Sequence, residues 1–249
     1  MKYLIAILLF SLSCAAAPLT VKVGAYDFPP YLKTEKGNKP SGLTTEIIKE
    51  LNKTQSKYKF ELYQTTPTNR YTDFNSGKYD LIFFESKKWG WAKNDQIEFT
   101  KKILLDGEVF VAKKKNEAGQ DIFKNKKEKR IAAFTGYHYA FAKFNSDPKF
   151  LRDNFKITLT ESHMDNLKLV LDSKVDMAIV TYSYLMNYLQ QYPAMEKELM
   201  ISYNFDQRYI LQFGISKKSK LKKQEFARLI NKALRSKRVK QILREHNLE

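Results

Sequence analysis

Val21, Val23 and Ala25 alternate with Lys22 and Gly24, a period of two that predicts a half-buried strand. Tyr26-Asp27-Phe28-Pro29-Pro30-Tyr31 must then turn, because paired prolines fit neither a helix interior nor a central strand. Past Ser41-Gly42 the period changes, and Leu43, Ile47, Ile48 and Leu51 share one helical face. Lys59–Tyr63 predicts a second strand and Pro67–Ser76 a short helix or turn. The apolar run Tyr79-Asp80-Leu81-Ile82-Phe83-Phe84 predicts a strand covered on both faces. Strands follow at Glu108–Lys113 and Arg130–Phe134, the latter running through Thr135-Gly136-Tyr137-His138 into a predicted helix. Ser162 is placed to cap another helix, with Asp165 in its first turn and Met164, Leu167 and Leu171 facing inward. Val175–Val180 is a second covered strand and Tyr209–Ser216 a further one. Phe226, Leu229, Ile230, Ala233 and Leu234, then Val239, Ile242 and Leu243, mark two closing amphipathic helices. Such alternation predicts α/β layers with mainly parallel sheets.

One unit recurs. Asn75-Ser76-Gly77-Lys78-Tyr79-Asp80-Leu81-Ile82 is similar to Asp172-Ser173-Lys174-Val175-Asp176-Met177-Ala178-Ile179. Each reads as a helix end, a turn with a basic residue, an Asp and an apolar strand, so two related α/β halves are expected. Asp80 and Asp176 are expected to be structural turn residues.

The first residues have a separate pattern. Lys2 precedes an apolar stretch from Tyr3 to Leu12 and a small-residue run from Ser13 to Ala17. This is the pattern of a secretory signal peptide over residues 1–17, too short to span a membrane as a helix. Cys14 is the single cysteine. It raises lipid anchoring as an alternative, but Leu12 stands two residues before it where a lipobox places Leu three before. With one cysteine, stability must come from a core, and a hydrophobic content of 43% supplies it. The formal charge of +17 is spread along the chain, with basic runs at Lys113–Lys115, Lys124–Arg130, Lys217–Lys223 and Arg235–Lys240 on predicted loops and helix faces. In an exported chain it points to an acidic surface or ligand rather than to nucleic acid.

Read in order, these segments resemble the bacterial extracellular solute-binding proteins of family 3. The similarity rests on Val23–Tyr31, on Ser41-Gly42-Leu43 with its helix, and on Ser76-Gly77-Lys78-Tyr79-Asp80. It continues through Ile97-Glu98-Phe99-Thr100 and Lys174-Val175-Asp176-Met177-Ala178. The resemblance implies a type II periplasmic-binding-protein-like α/β fold with a ligand cleft. One lobe would comprise 18–104 plus 207–249 and the other 105–206, joined by a two-segment hinge. It also implies a monomeric periplasmic protein delivering a small ligand to an ABC-type permease or a membrane receptor, without enzymatic activity or cofactor.

Tyr26, Phe28 and Tyr31 follow a strand's C-terminal end, where open α/β sheets bind ligands, and form a stiff aromatic wall. Thr135, Gly136 and Tyr137 stand at the predicted strand-to-helix junction, whose free N–H groups would suit an anion. The resemblance places Lys93 where amino-acid binders carry the Arg that clamps the ligand α-carboxylate, and Thr181-Tyr182 where they carry the Asp for the α-ammonium, so a pocket without a carboxylate and an acidic or neutral polar ligand are expected. Arg70 is the other candidate for the anion contact. Ligand-binding candidates are therefore Tyr26, Phe28, Tyr31, Arg70, Lys93, Thr135, Gly136, Tyr137, Thr181 and Tyr182, with a carboxylate-bearing or amino-acid-like ligand expected. No phosphate-cradling glycine loop or nucleophile elbow is present. His138, His163 and His246 lack metal-ligand spacing, so no metal is expected. Two rival readings are a cyclohexadienyl-dehydratase-like enzyme, with Glu85 or Glu161 as its acid, and a ligand-free regulatory or adhesive envelope protein.

Overall fold

The computed structural model describes residues 17–34, 37–114 and 119–248. The signal segment, apart from Ala17, and Cys14 lie outside the described residues.

The first strand, β1 (Leu19–Ala25), buries Val21, Val23 and Ala25 as its alternation requires. It pairs in parallel with β2 (Tyr58–Gln64) and β3 (Leu81–Glu85). The short β4 (Ile97–Phe99) precedes β5 (Leu104–Lys113). Then β6 (Arg130–Phe134) pairs in parallel with β7 (Lys156–Thr160) and β8 (Met177–Thr181). The last strand, β9 (Leu199–Ser216), is the organising element. Its C-terminal residues lie antiparallel to β3 and β4, while Leu199–Leu211 run antiparallel to β5. The strand order is β2-β1-β3-β9-β5-β8-β6-β7, with β4 also beside β9.

The expectation of mainly parallel sheets holds within each half only. The two long strands linking the halves, β5 and β9, run antiparallel to their neighbours, so the sheet is mixed. Sequence periodicity also misses the first half of β9. There Ser202-Tyr203-Asn204 bulge out: Val109 to Val111 on β5 span Phe205 to Ile201 on β9.

Helix α1 (Leu43–Thr54) buries Leu43, Ile47 and Leu51, and packs against α6 (Lys223–Leu234) and α7 (Lys237–Glu245) at the other end of the chain. Phe226, Ile230, Val239 and Ile242 close this core. Between these lie α2 (Arg70–Asn75), α3 (Pro148–Asn154), α4 (His163–Leu171) and α5 (Tyr182–Gln191). Ser162 caps α4 as predicted, its hydroxyl accepting from the N–H groups of Met164 and Asp165.

The recurring turn has one job in both halves. Asp80 accepts from the Lys22 N–H at 2.9 Å, and Asp176 accepts from the Arg130 N–H at 2.8 Å. Each Asp N–H returns a bond to the carbonyl of the same partner. The two aspartates thus tie a buried strand to its parallel neighbour.

Candidate functional site

The aromatic turn after β1 meets the turn after β6. Tyr137 lies edge-on to Phe28 at 5.7 Å and to Tyr26 at 6.4 Å between ring centroids. The Tyr137 hydroxyl donates to the Asp27 carbonyl at 2.9 Å. Gly136, at φ 76°, presses against Pro67 and Thr68, where a side chain would collide. Between the turns is a cavity lined by Tyr26, Phe28, Arg70, Trp89, Glu108, Tyr137, His138 and Gln207. Its space for the centre of a water molecule is about 10 Å³, room for one water. Protein rings fill the rest.

Arg70 opens α2 and is 1% exposed. A charge so buried needs a counter-charge. Glu85 supplies it: Arg70 Nε lies 3.0 Å from Glu85 Oε1, an ion pair without the alignment of a hydrogen bond. Glu85 reaches this point because β3 bends at Phe84, which has φ 58°. Its other oxygen accepts from the Trp91 indole at 2.7 Å. Burial raises the Glu85 carboxyl to about 7 against the opposing pull of Arg70. The guanidinium lies over the Tyr26 and Tyr71 rings at 4.9 and 4.5 Å, and donates to the carbonyls of Pro67 and Gly136. One Arg70 nitrogen is 3.4 Å from His138 Nδ1. Burial, then the neighbouring Arg70 charge, lower the imidazole to about 3, so His138 is neutral.

The β5 strand adds two acids. Asp106 accepts from the Tyr31 and Ser183 hydroxyls, both at 2.6 Å, and from the Ser183 N–H at the start of α5. Glu108 is 1% exposed. Its Oε1 accepts from Thr181 at 3.0 Å and Tyr209 at 2.9 Å. Its Oε2 is buried without a hydrogen-bond partner among the described residues. Burial pushes this carboxyl well above the ordinary value, with the Asp106 charge adding to the effect.

Of the sequence candidates, Tyr26, Phe28, Arg70 and Tyr137 line the cavity. Gly136 packs beside it, Thr181 reaches it through Glu108, and Tyr31 lies beneath Phe28 at 4.7 Å. Thr135 instead bonds the Thr160 carbonyl through its N–H and hydroxyl, both at 2.8 Å. Tyr182 is 37% exposed and packs on Phe205. Lys93 is exposed and does not line the cavity. Glu161 is exposed.

Two expectations are corrected. No α-helix begins at Thr135–His138. A short 3-10 turn, Ala140–Ala142, follows, and Asp206 takes the N–H groups of Ala140 and Phe141. The Tyr137 N–H bonds Phe134, so these backbone donors are already used. The absence of an Asp at Thr181 also does not leave the cavity without a carboxylate, since Glu108 stands behind that hydroxyl. Trp89, Glu108, Gln207 and Tyr209 were missed. The Asp106-Gly107-Glu108 pair of acids at the start of a strand was the one available signal.

Residues 21–247 match the bacterial extracellular solute-binding proteins, family 3. The chain belongs to this family. Its fold is that of the type II periplasmic binding proteins. A solved ancestral amino acid-binding protein, AncCDT-1, described as a precursor of cyclohexadienyl dehydratase, is 18% identical. That likeness has a TM-score of 0.66 and covers 91% of this chain and 94% of that one. The GLUR0 ligand-binding core in complex with L-glutamate is 16% identical, with a TM-score of 0.64 over 94% and 98% of the two chains. The periplasmic VFT2 domain of Bordetella pertussis BvgS is also 16% identical, with a TM-score of 0.58 over 92% of each. No curated protein matches significantly.

Proposed function

We propose that this family-3 protein is an exported receptor whose two lobes, 18–104 with 207–249 and 105–206, part to admit a small amino-acid-like solute between them. The observation that carries this reading is that Glu108 Oε2, buried and unpartnered, lines the same cavity as the Arg70 guanidinium. A buried carboxyl oxygen without a hydrogen-bond partner is costly, with or without its proton. A ligand ammonium answers it, and a ligand carboxylate answers Arg70, while Tyr26, Phe28 and Trp89 wall the apolar part. The closed cavity is too small for such a ligand, so the occupied form holds the lobes further apart than they are here. Membership of the family supports delivery to an ABC-type permease or to a membrane receptor, by a monomer in the periplasm.

Calorimetry of the mature protein against the common amino acids and their decarboxylated and deaminated analogues tests this. Binding of an amino acid, weakened tenfold or more by both Glu108→Gln and loss of either charged ligand group, is expected. Lys93→Ala should leave affinity unchanged. Tight binding of a ligand lacking both charged groups would overturn the assignment.

A second reading has its own support. The protein's rings fill the cleft so completely that a ligand-independent role, regulatory or adhesive, needs no further contact to hold the halves together. Failure of every small solute to raise the melting temperature would favour it.

A further inference from the structure

Away from the cleft, the half built on β6 to β8 carries a trough of unusual composition. Two adjoining hollows of about 550 and 530 Å³ share Lys126 and Phe141 as lining residues. Their floor is a row of rings: Phe110 lies 5.6 Å from Phe141, which lies 5.0 Å from Phe155. The Lys126 ammonium sits 5.0 Å over the Phe110 ring. At one rim stands Tyr203, 85% exposed.

Tyr203 is held out by construction. It sits at the centre of the β9 bulge, and the Gln120 side chain locks that bulge from both sides. The Gln120 amide donates to the Ile201 carbonyl at 3.0 Å and its oxygen accepts from the Tyr203 N–H at 2.9 Å. A second irregularity sets Asp206 against the N–H groups of Ala140 and Phe141, which fixes Phe141 in the trough floor. Bulges of this kind re-aim side chains. A large ring left in water on a braced backbone is a ready stacking surface, with little conformational entropy left to lose on contact.

We propose that this trough is a second binding site, for a short acidic oligosaccharide. The apolar C–H faces of sugar rings stack on Tyr203 and on the partly exposed rings of Phe141 and Phe155. Exposed Lys127 and Lys143, which have no ion-pair partner among the described residues, meet the sugar carboxylates. Asn204 and Ser202 beside the exposed ring offer polar contacts to hydroxyls. The lining also contains Glu128 and Asp206. The hydroxyl and amide beside Tyr203 favour a sugar over a nucleic acid, which serves as a comparator in the test.

The test uses the mature protein, with a short oligogalacturonate as probe, a neutral cello-oligosaccharide of equal length and a single-stranded oligonucleotide as comparators, read by calorimetry. Oligogalacturonate should bind more tightly than either comparator, and its affinity should fall as salt rises. Tyr203→Ala should weaken it about tenfold, near 1.4 kcal/mol, without changing the melting temperature, since the ring touches solvent on most sides. Lys127→Glu with Lys143→Glu should weaken the oligogalacturonate and leave the neutral chain unaffected. The proposal is overturned if Tyr203→Ala binds as the wild type does, if either comparator binds as tightly as the acidic sugar, or if no binding occurs at millimolar probe. Because none of these residues lines the central cavity, the outcome is independent of any amino acid bound there.

Discussion

Arg70 and Glu85 meet at 3.0 Å with both side chains withdrawn from solvent, and each is the other's only ionic partner among the described residues. The pair joins α2 to the bent end of β3 directly beneath the cavity. Breaking a buried pair from one side leaves a bare charge and costs about 3–5 kcal/mol. Arg70→Met and Glu85→Leu should each destabilise strongly in urea, while the double variant loses much less than the two losses added. Additive losses in this cycle would show that the two charges are not coupled. An Arg70 variant must accordingly be checked for folding before any loss of affinity is read from it.

Glu85, Glu108, His138 and His163 are four buried groups through which stability should depend on pH. Burial raises Glu85 from 4.5 to about 7 and pushes Glu108 well above its ordinary value, so the folded state holds these protons more tightly. Their contribution is complete below pH 4.5, and the Glu85 part is lost as pH rises through about 7. Burial lowers His138 and His163 from 6.5 to about 3, so their contribution is complete above 6.5 and is lost as pH falls towards 3. The two effects oppose each other between 4.5 and 6.5 and produce a plateau there, with declines on both sides. Urea titrations across pH should show it. In Glu85→Gln with Glu108→Gln the alkaline decline should become shallower, with Asp106 and Asp206 still contributing, while the acid one stays. A decline unchanged in that variant would place its origin elsewhere.

Gly136→Ala should hold the halves apart. Its φ of 76° disfavours any side chain, and a Cβ would sit 2.9 Å from Thr68 Cγ2 and 3.0 Å from Pro67 Cβ. About 1–2 kcal/mol of backbone strain is expected before the clash is counted. Small-angle scattering should give a larger radius of gyration than wild type. An unchanged radius together with unchanged stability would refute the close approach.

Tyr137→Phe removes one bond across the same junction and nothing else of size. The lost donor to the Asp27 carbonyl is worth about 1 kcal/mol, roughly a fivefold shift towards separated halves. Single-molecule energy transfer between dyes on the two halves would read that shift. A population identical to wild type would mean the bond does not contribute to closure.

The aromatic turn at Tyr26 and Phe28 and the turn at Gly136 and Tyr137 were legible because each follows a strand whose periodicity is unbroken. Their meeting is now visible in the Tyr137 to Asp27 bond. Glu85 was noted only as an acid near a strand end, since its pairing with Arg70 depends on the left-handed backbone of Phe84. Glu108 was legible only as the first residue of a predicted strand. Only pairing with β8 on one side and β9 on the other buries it. The first half of β9 was invisible because Tyr203 and Asp206 interrupt its alternation, and a bulge has no period. The helix expected after Thr135 is one short 3-10 turn, Ala140–Ala142, because the chain passes into left-handed backbone at Lys143 and Phe144, φ 55° and 59°.

Since β9 runs unbroken from one half into the other, and lies along β5 for most of that length, the halves share a ribbon rather than a tether. No lone flexible linker offers itself to a protease between them, and a nick in either strand leaves the other holding. Relative movement must then be a torsion spread over paired backbone, elastic and returning to a preferred angle. In such a device the resting angle is a property of the ribbon's own residues, and altering Gly107 or Asp206, neither of which lines the cavity, would reset it.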